Sequence, residues 1–217
     1  EGHLLDLSVT YRDEADTTSV GGANSFDRAT GLEQTTKSAN FRYQWQGQGF
    51  LNEFAIDYRN YNYNPTAKNF GTPGASYRVF DNGYDPFGGV SIINIGGANT
   101  RQDISDEAVT FRNDLTLTDI EFSGFHAIKM GVKFSSQDYH VEKEFGRNPQ
   151  FFYDLNGTAS GNRDVPYRVQ IGNAFPTVDL NNKVYGLYIQ DDWQLTDRLE
   201  LNLGLRWDYE SNANNND

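Results

Sequence analysis

The 217-residue chain carries 18 Lys and Arg against 30 Asp and Glu, which gives a net charge of −12, and it contains no Cys. The lack of Cys excludes disulfides, thiolate metal sites and a Cys nucleophile. The acidic charge argues against a nucleic-acid partner, because phosphates would be repelled. No apolar run approaches the roughly 20 residues that a membrane-spanning helix needs.

The aromatic content is high for so polar a chain. Apolar residues make up only 37% of it, yet aromatic residues make up 14%. Disordered chains are poor in aromatics, so this composition predicts an ordered, extended structure with large polar loops.

Period-two alternation of apolar and polar residues predicts seven β-strands and no helix. The seven alternating sets, in chain order, are Leu5–Tyr11, Ala39–Trp45, Phe54–Tyr58, Val109–Leu117, Ile128–Phe134, Tyr185–Leu195 and Leu199–Tyr209. Asn113 interrupts the fourth set, and the pattern offers no reason for it.

The connections between these strands are of two kinds. Tight turns are predicted near residues 47–50, 119–125 and 196–199, and long loops near 14–36, 64–107 and 146–182. Short and long connections alternate strictly, so all short turns lie at one end of the sheet. Outer-membrane barrels have this arrangement, with short periplasmic turns and long extracellular loops.

The two faces of the strands point to the same architecture. One face is almost wholly apolar, and the other is polar with mixed charge, as expected for lipid outside a barrel and water inside it. Aromatic residues gather at the strand ends, where interfacial girdles form. We therefore predict an all-β fold, a partial antiparallel up-and-down transmembrane barrel, with residues 1–217 part of one barrel domain.

The last predicted hairpin carries a specific motif. It reads Tyr188-Ile-Gln-Asp-Asp-Trp193, a short turn, then Leu199-Glu-Leu-Asn-Leu-Gly-Leu-Arg-Trp-Asp208. This segment resembles the barrel hairpin of TonB-dependent outer-membrane receptors. The positions that match the family's motif, all expected to be structural, are Tyr188, Gln190, Asp191, Trp193, Gly204, Arg206 and Asp208.

The resemblance implies a plug domain inside a barrel of about 22 strands. Such a receptor imports a scarce ligand across the outer membrane of a Gram-negative bacterium, using energy from the inner-membrane TonB complex. The expected partners are outer-membrane lipid, the plug and remaining barrel, TonB through parts outside this chain, and a small-molecule or oligomeric nutrient. Ferric siderophores are the family's commonest ligands, and oligosaccharide, peptide and cobalamin stay open. No cofactor is implied.

An odd number of seven strands does not close a bacterial barrel of the usual even type. No plug or energy-coupling sequence is visible, and the start of the chain lacks the features of a signal peptide. The Asn-rich residues 212–217 are typical of the start of another loop. We therefore expect an internal part of a larger receptor.

A catalytic role is not expected. Asp191 and Asp192 are neighbours, so on a strand their carboxylates face opposite ways. His126 and His140 lie about 45 Å apart on an extended strand and cannot share a metal ion, and no nucleophile or phosphate-binding motif is present.

Asp81 and Asp85 lie on either side of a Gly turn, and their carboxylates could hold a calcium ion. A simpler explanation is a β-turn in which the Asp and Asn side chains hydrogen-bond to their own backbone.

Aromatic residues of the second and third long loops are the candidates for ligand contact. They could form a stacking surface for a siderophore or a sugar, or they could pack the loops against each other. These candidates are Phe70, Tyr77, Phe80, Tyr84, Phe87, Phe151, Phe152, Tyr153 and Tyr167.

Two other functions fit the strand pattern. The chain could be a small passive outer-membrane barrel, a porin or an adhesin, which would need an eighth strand. It could also be a soluble carbohydrate-binding β-sandwich, which would stay monomeric without detergent, whereas a bare lipid-facing surface would aggregate.

Overall fold

The computed structural model describes residues 2–81, 83–159, 161–173 and 176–212. Its strands are β1 (Gly2–Thr18), β2 (Thr30–Gly47), β3 (Phe50–Ala67), β4 (Gly74–Val79), β5 (Val90–Gly96), β6 (Thr100–Glu121), β7 (Phe125–Phe145), β8 (Gln150–Asp154), β9 (Arg168–Gln170), β10 (Thr177–Thr196) and β11 (Leu199–Glu210). A three-residue 3-10 helix covers Phe26–Arg28. Within the described residues, no helix is long and apolar enough to cross a membrane.

The strands form two separate sheets. The barrel sheet has seven strands in the order β1-β2-β3-β6-β7-β10-β11, and every neighbouring pair is antiparallel. The loop sheet has four short strands in the order β5-β4-β8-β9. The seven predicted strands are those of the barrel sheet, so the predicted fold class is confirmed. In the described part of the chain β1 and β11 are open edges, as expected of a partial barrel.

The register of the barrel sheet keeps its apolar side chains in continuous rows. Phe111 pairs with both Ile56 and Phe134, and Tyr185 pairs with both Phe134 and Tyr209. These side chains face away from the polar side of the sheet and are largely uncovered; Leu205, for example, is 74% exposed. Within the described residues this apolar face has no protein partner, and lipid is the solvent that suits it.

The apolar rows end sharply on the side away from the short turns. On β3 the outward positions change from Tyr58 to Asn60, and on β10 from Tyr185 to Lys183. A tilted strand crosses the hydrocarbon layer with about 10 residues, whereas β6 has 22. The barrel strands therefore project well beyond the apolar band.

The long connections are shorter than the sequence predicts. We predict loops near 14–36, 64–107 and 146–182, but the barrel strands continue until residues 18, 67 and 145 and resume at 30, 100 and 177. Beyond the apolar band the outward positions are polar, while apolar residues such as Ile104, Val141 and Leu180 lie on the inward face. The lipid-facing alternation therefore ends although the backbone pairing continues. Of the predicted loop start at residues 212–217, only Asn212 belongs to the described residues.

The tight turns all lie at the opposite end. Gln48 and Gly49 join β2 to β3, residues 122–124 join β6 to β7, and Asp197 and Arg198 join β10 to β11. Gly49 has a φ of +76°, a left-handed conformation that a residue without a side chain adopts freely. The short turns and the long connections are thus sorted to the two ends of the barrel sheet.

Candidate functional site

The loop sheet joins two connections that are distant in sequence. Strands β4 and β5 belong to the connection between β3 and β6, and β8 and β9 belong to the connection between β7 and β10. The two connections meet where β4 pairs in parallel with β8, with Tyr77 opposite Tyr153. Together they form one platform at the end of the barrel sheet that lacks the short turns.

A polar anchor ties all three long connections together. Arg28, from the first connection, donates from Nη1 to the carbonyl of Gly97 at 3.2 Å and to Oε1 of Gln150 at 3.1 Å. Gln150 also donates from Nε2 to the Gly97 carbonyl at 2.9 Å. A Cβ on Gly97 would lie 2.0 Å from the carbonyl oxygen of Thr72, so this approach requires glycine. The platform is therefore held in a fixed position.

A buried carboxylate secures the base of the platform. Glu144, only 2% exposed, accepts hydrogen bonds from Arg147 at 2.5 Å and Arg101 at 2.8 Å. The hydrogen bond from Arg147 holds the pKa of the Glu144 carboxyl below its ordinary value, with the charge of Arg101 acting in the same direction. Since Arg101 lies on β6 and Arg147 follows β7, the ion pairs join two barrel strands to the third connection.

One face of the loop sheet carries a cluster of rings and guanidinium groups. The aromatic–arginine cluster consists of Arg78, Phe80, Tyr84, Phe87, Phe152, Tyr167 and Arg168. The ring of Tyr167 lies edge-on to Phe80 and Tyr84, at centroid distances of 5.4 and 5.9 Å. The guanidinium of Arg168 lies 3.8 Å from the centroid of Phe152 and 5.4 Å from that of Phe87. Arg78 contacts the same Phe152 ring at 5.1 Å.

The cluster has an inner and an outer part. Phe80 and Phe152 are buried, at 4% and 7% exposure, whereas Tyr84 is 48% and Phe87 is 78% exposed. Burial raises the pKa of the Tyr167 phenol, and the charges of Arg78 and Arg168 oppose that rise. The buried rings pack the two connections together, and the exposed rings present an aromatic surface to the outside.

The predicted ligand-contact residues are divided among three places. Five of them, Phe80, Tyr84, Phe87, Phe152 and Tyr167, lie in the aromatic–arginine cluster. Tyr77 and Tyr153 stack at 5.0 Å, and the alternation of β8 places Phe151 on their face of the sheet. Phe70 lies in the turn after β3, outside the loop sheet. The buried rings pack the loops against each other, whereas contact of the exposed rings with a ligand stays a prediction.

Sequence reasoning missed the two arginines of the cluster. Arg78 and Arg168 each occur in the tripeptide Tyr-Arg-Val, once in the second connection and once in the third. Strand pairing brings Arg78 and Arg168 to the same Phe152 ring. The repeated tripeptide is the signal that could have identified them.

Asp85, one of the two calcium candidates, lies in a hydrogen-bonded turn. The side-chain Oδ1 of Asp85 accepts a hydrogen bond from the Phe87 amide at 2.9 Å, and its carbonyl accepts one from the Gly88 amide at 3.1 Å. Asn82, between Asp81 and Asp85, lies outside the described residues. Among the described residues, no three His, Asp or Glu side chains are grouped as a metal ion would require.

The motif residues of the last hairpin stabilise the inner face of the barrel sheet. Tyr188 donates from its hydroxyl to Oδ1 of Asp114 at 2.6 Å, across a gap that Gly131 leaves open, because a Cβ there would lie 2.4 Å from the Tyr188 ring. Arg206 and Asp208 form a two-point ion pair at 2.6 and 2.8 Å. Gln190 bonds Asp192 at 3.1 Å and pairs with Gly204 across the strands.

Several polar side chains on the apolar face form hydrogen bonds within the sheet. Trp193 donates from Nε1 to the Ser123 carbonyl at 3.0 Å and stacks on His126. Nδ1 of His126 lies 2.7 Å from Oδ2 of Asp191. Higher on this face, Asn113 accepts a hydrogen bond from the Asn52 amide at 3.2 Å, which accounts for the interruption in the fourth alternating set.

Comparisons with known proteins agree with this architecture. The crystal structure of the outer membrane transporter YddB from Escherichia coli superposes with a TM-score of 0.61 at 13% identity, covering 96% of this chain and 25% of that one. The chain thus spans about a quarter of that transporter's length. A comparison of the sequence with curated proteins found no match. The family model for the outer membrane beta barrel domain matches residues 5–217, so this chain belongs to that family and lies in the outer membrane.

Proposed function

We propose that this chain is part of the barrel of a TonB-dependent receptor that takes up a scarce nutrient, siderophore-like or other, across the outer membrane. The observation that carries the proposal is the β10–β11 hairpin, where Tyr188, Gln190, Trp193, Gly204 and Arg206 occupy the positions of that family's motif. The structural likeness to an outer membrane transporter supports transport rather than adhesion or catalysis.

In this proposal the two ends of the barrel sheet have different tasks. The loop sheet, held by Arg28, Gln150 and Glu144, captures the ligand at the cell surface. The polar inner face, with Arg112, Asp114 and Arg206 among its charges, meets a plug domain supplied by the rest of the receptor. TonB acts through parts outside this chain, and the chain itself carries out no chemistry.

TonB dependence is the property to test. The full-length protein, expressed in cells with and without the TonB complex, is compared for growth on limiting iron, vitamin or oligosaccharide and for in-cell cross-linking to TonB. We expect a growth advantage on one nutrient that disappears without TonB, and a cross-linked product. A growth advantage that persists without TonB would instead identify a passive pore.

A further inference from the structure

We propose that the aromatic–arginine cluster is an oxyanion-binding site, which holds a carboxylate or phosphate of the ligand between Arg168 and Tyr167 while Tyr84 and Phe87 contact its apolar part. This inference rests on the proposed uptake function and deepens it, because it selects an anionic ligand over a neutral oligosaccharide.

The charge of the cluster is opposite to that of the chain. The protein has a net charge of −12, yet within its described residues neither Arg78 nor Arg168 forms an ion pair with a carboxylate. Both guanidinium groups nevertheless contact the single ring of Phe152. Two cations held beside one ring repel each other, and an anion between them would relieve that repulsion.

Arg168 differs from Arg28 and Arg78 in its hydrogen bonds. Arg28 donates to Ile95, Gly97 and Gln150, and Arg78 donates to Ser76 and Gly88. Arg168 makes ring contacts but donates no hydrogen bond inside the described chain. The Arg168 guanidinium is thus positioned by the rings of Phe152 and Phe87, while its N–H groups donate to no acceptor in the described chain. A planar fork of free N–H groups matches the geometry of a carboxylate or phosphate.

Unsatisfied polar atoms are concentrated at this place. Nε of Arg168 is buried and has no hydrogen-bond acceptor in the described chain. The guanidinium of Arg78 donates toward the oxygen of the Tyr167 hydroxyl, but a guanidinium cannot accept, so the buried Tyr167 O–H also lacks an acceptor there. Leaving such a group unpaired costs about 1–3 kcal/mol, so each one calls for an explanation. Both residues contact the ring of Phe152, at 3.8 and 6.4 Å. A bound oxyanion can accept from both donors.

The cluster is open toward the outside. Phe87 and Tyr84 are its most exposed rings, and Phe87 covers the face of the Arg168 guanidinium. An apolar ligand part can therefore stack on Phe87 or Tyr84 while its oxyanion reaches the edge of the guanidinium. A neutral sugar would satisfy the stacking surface but would leave the positive charge uncompensated.

A matched pair of small probes tests the inference on the unmodified protein. The full-length protein, purified in detergent, is titrated with benzoate and with the neutral, similarly shaped benzamide, and binding is measured by saturation-transfer NMR. Since a hydrogen bond to a charged group contributes about 1.5–3 kcal/mol, we expect benzoate to bind at least about tenfold more tightly. Equal binding of the two probes would overturn the inference, and this comparison requires no variant to fold.

Substitutions assign the site to Arg168. Arg168→Gln should weaken benzoate binding by about tenfold or more and leave benzamide unchanged, with folding checked by heat-modifiable migration on gels. The control is Arg163→Gln, because Arg163 is an exposed arginine of the same connection. Equal effects of the two substitutions would overturn the assignment. TonB-independent growth would overturn the receptor function and leave the benzoate result standing, so the two failures are distinguishable.

Discussion

The barrel sheet and the loop sheet are both formed by hydrogen-bonded strands, but their apolar side chains are removed from water in different ways. In the barrel sheet, Leu187 and Leu205 lie exposed on one face, and lipid takes the place of a core. In the loop sheet, Phe80 and Phe152 are buried against protein. The first region therefore depends on the membrane for its stability, whereas the second carries a small core of its own.

A charge on the lipid face should break the barrel sheet and spare the loop sheet. Leu187 faces outward between Val132 and Trp207, so Leu187→Arg is expected to lower the free energy of unfolding by about 2–4 kcal/mol. Gln190→Arg, on the inner face of the same strand, is expected to cost less than about 1 kcal/mol. Denaturant titration of the protein in lipid vesicles measures both, and equal costs would contradict the assignment of the faces.

A methyl group added at Gly97, in the polar anchor of the long connections, should destabilise the loop sheet and leave the barrel sheet unaffected. Gly97→Ala places a Cβ against the Thr72 carbonyl, and overpacking of this kind costs about 1–3 kcal/mol. We expect faster hydrogen exchange in β4 and β8 with no change in the barrel strands. Gly31→Ala is the control, since the nearest atom to its Cβ would be 3.6 Å away. Unchanged exchange in Gly97→Ala would show that the platform is not held at this point.

Glu144→Gln should loosen the base of the loop sheet more moderately. The substitution removes the negative charge that pairs with both Arg101 and Arg147. We therefore expect hydrogen exchange at the start of β8 to accelerate about tenfold. Glu142→Gln is the comparison, because Glu142 lies 3.7 Å from Arg101 and is more exposed. Because the Glu144 pKa is lowered in the folded state, its stabilisation is present above the unfolded pKa and is lost as pH falls through the folded one. A protection that does not decrease on acidification would contradict this role.

The smallest effect is expected at His140, where β7 and β10 project beyond the apolar band. Its Nδ1 lies 2.6 Å from Oδ1 of Asp179, and this hydrogen bond raises the His140 pKa. The contribution to stability is therefore complete below the unfolded pKa and is lost as pH rises through the folded one. Asp179→Asn should lower the His140 pKa measured by NMR. An unchanged pKa would mean that the contact is absent in solution.

The sequence predicts the barrel sheet well because lipid imposes a simple rule on it. Along each membrane-crossing strand, apolar and polar residues must alternate, and the seven alternating sets from Leu5 to Tyr209 show this pattern. The rule stops at the edge of the apolar band, which is why the strand ends near Thr18, Thr30 and Ala67 are missed. His126, Asp191 and Asn113 are exceptions that only their partners in space explain.

The candidate site could be predicted only in part. Its aromatic residues are visible as a composition of the long connections, but β4, β8 and β9 have only six, five and three residues. Strands of this length carry no clear period, and the parallel pairing of Tyr77 with Tyr153 joins segments far apart in the chain. The repeated Tyr-Arg-Val tripeptide could draw attention to Arg78 and Arg168, but only the strand pairing shows that both contact the Phe152 ring.

The orientation of the two sheets across the outer membrane is the central claim, and thiol accessibility tests it most directly. The chain has no Cys, so Asp164→Cys in the third long connection and Asp197→Cys in a short turn each add one thiol at an exposed position. Intact cells are treated with a membrane-impermeant maleimide. We expect Asp164→Cys to be labelled at once and Asp197→Cys only after the outer membrane is permeabilised. Labelling of Asp197→Cys in intact cells would contradict the account.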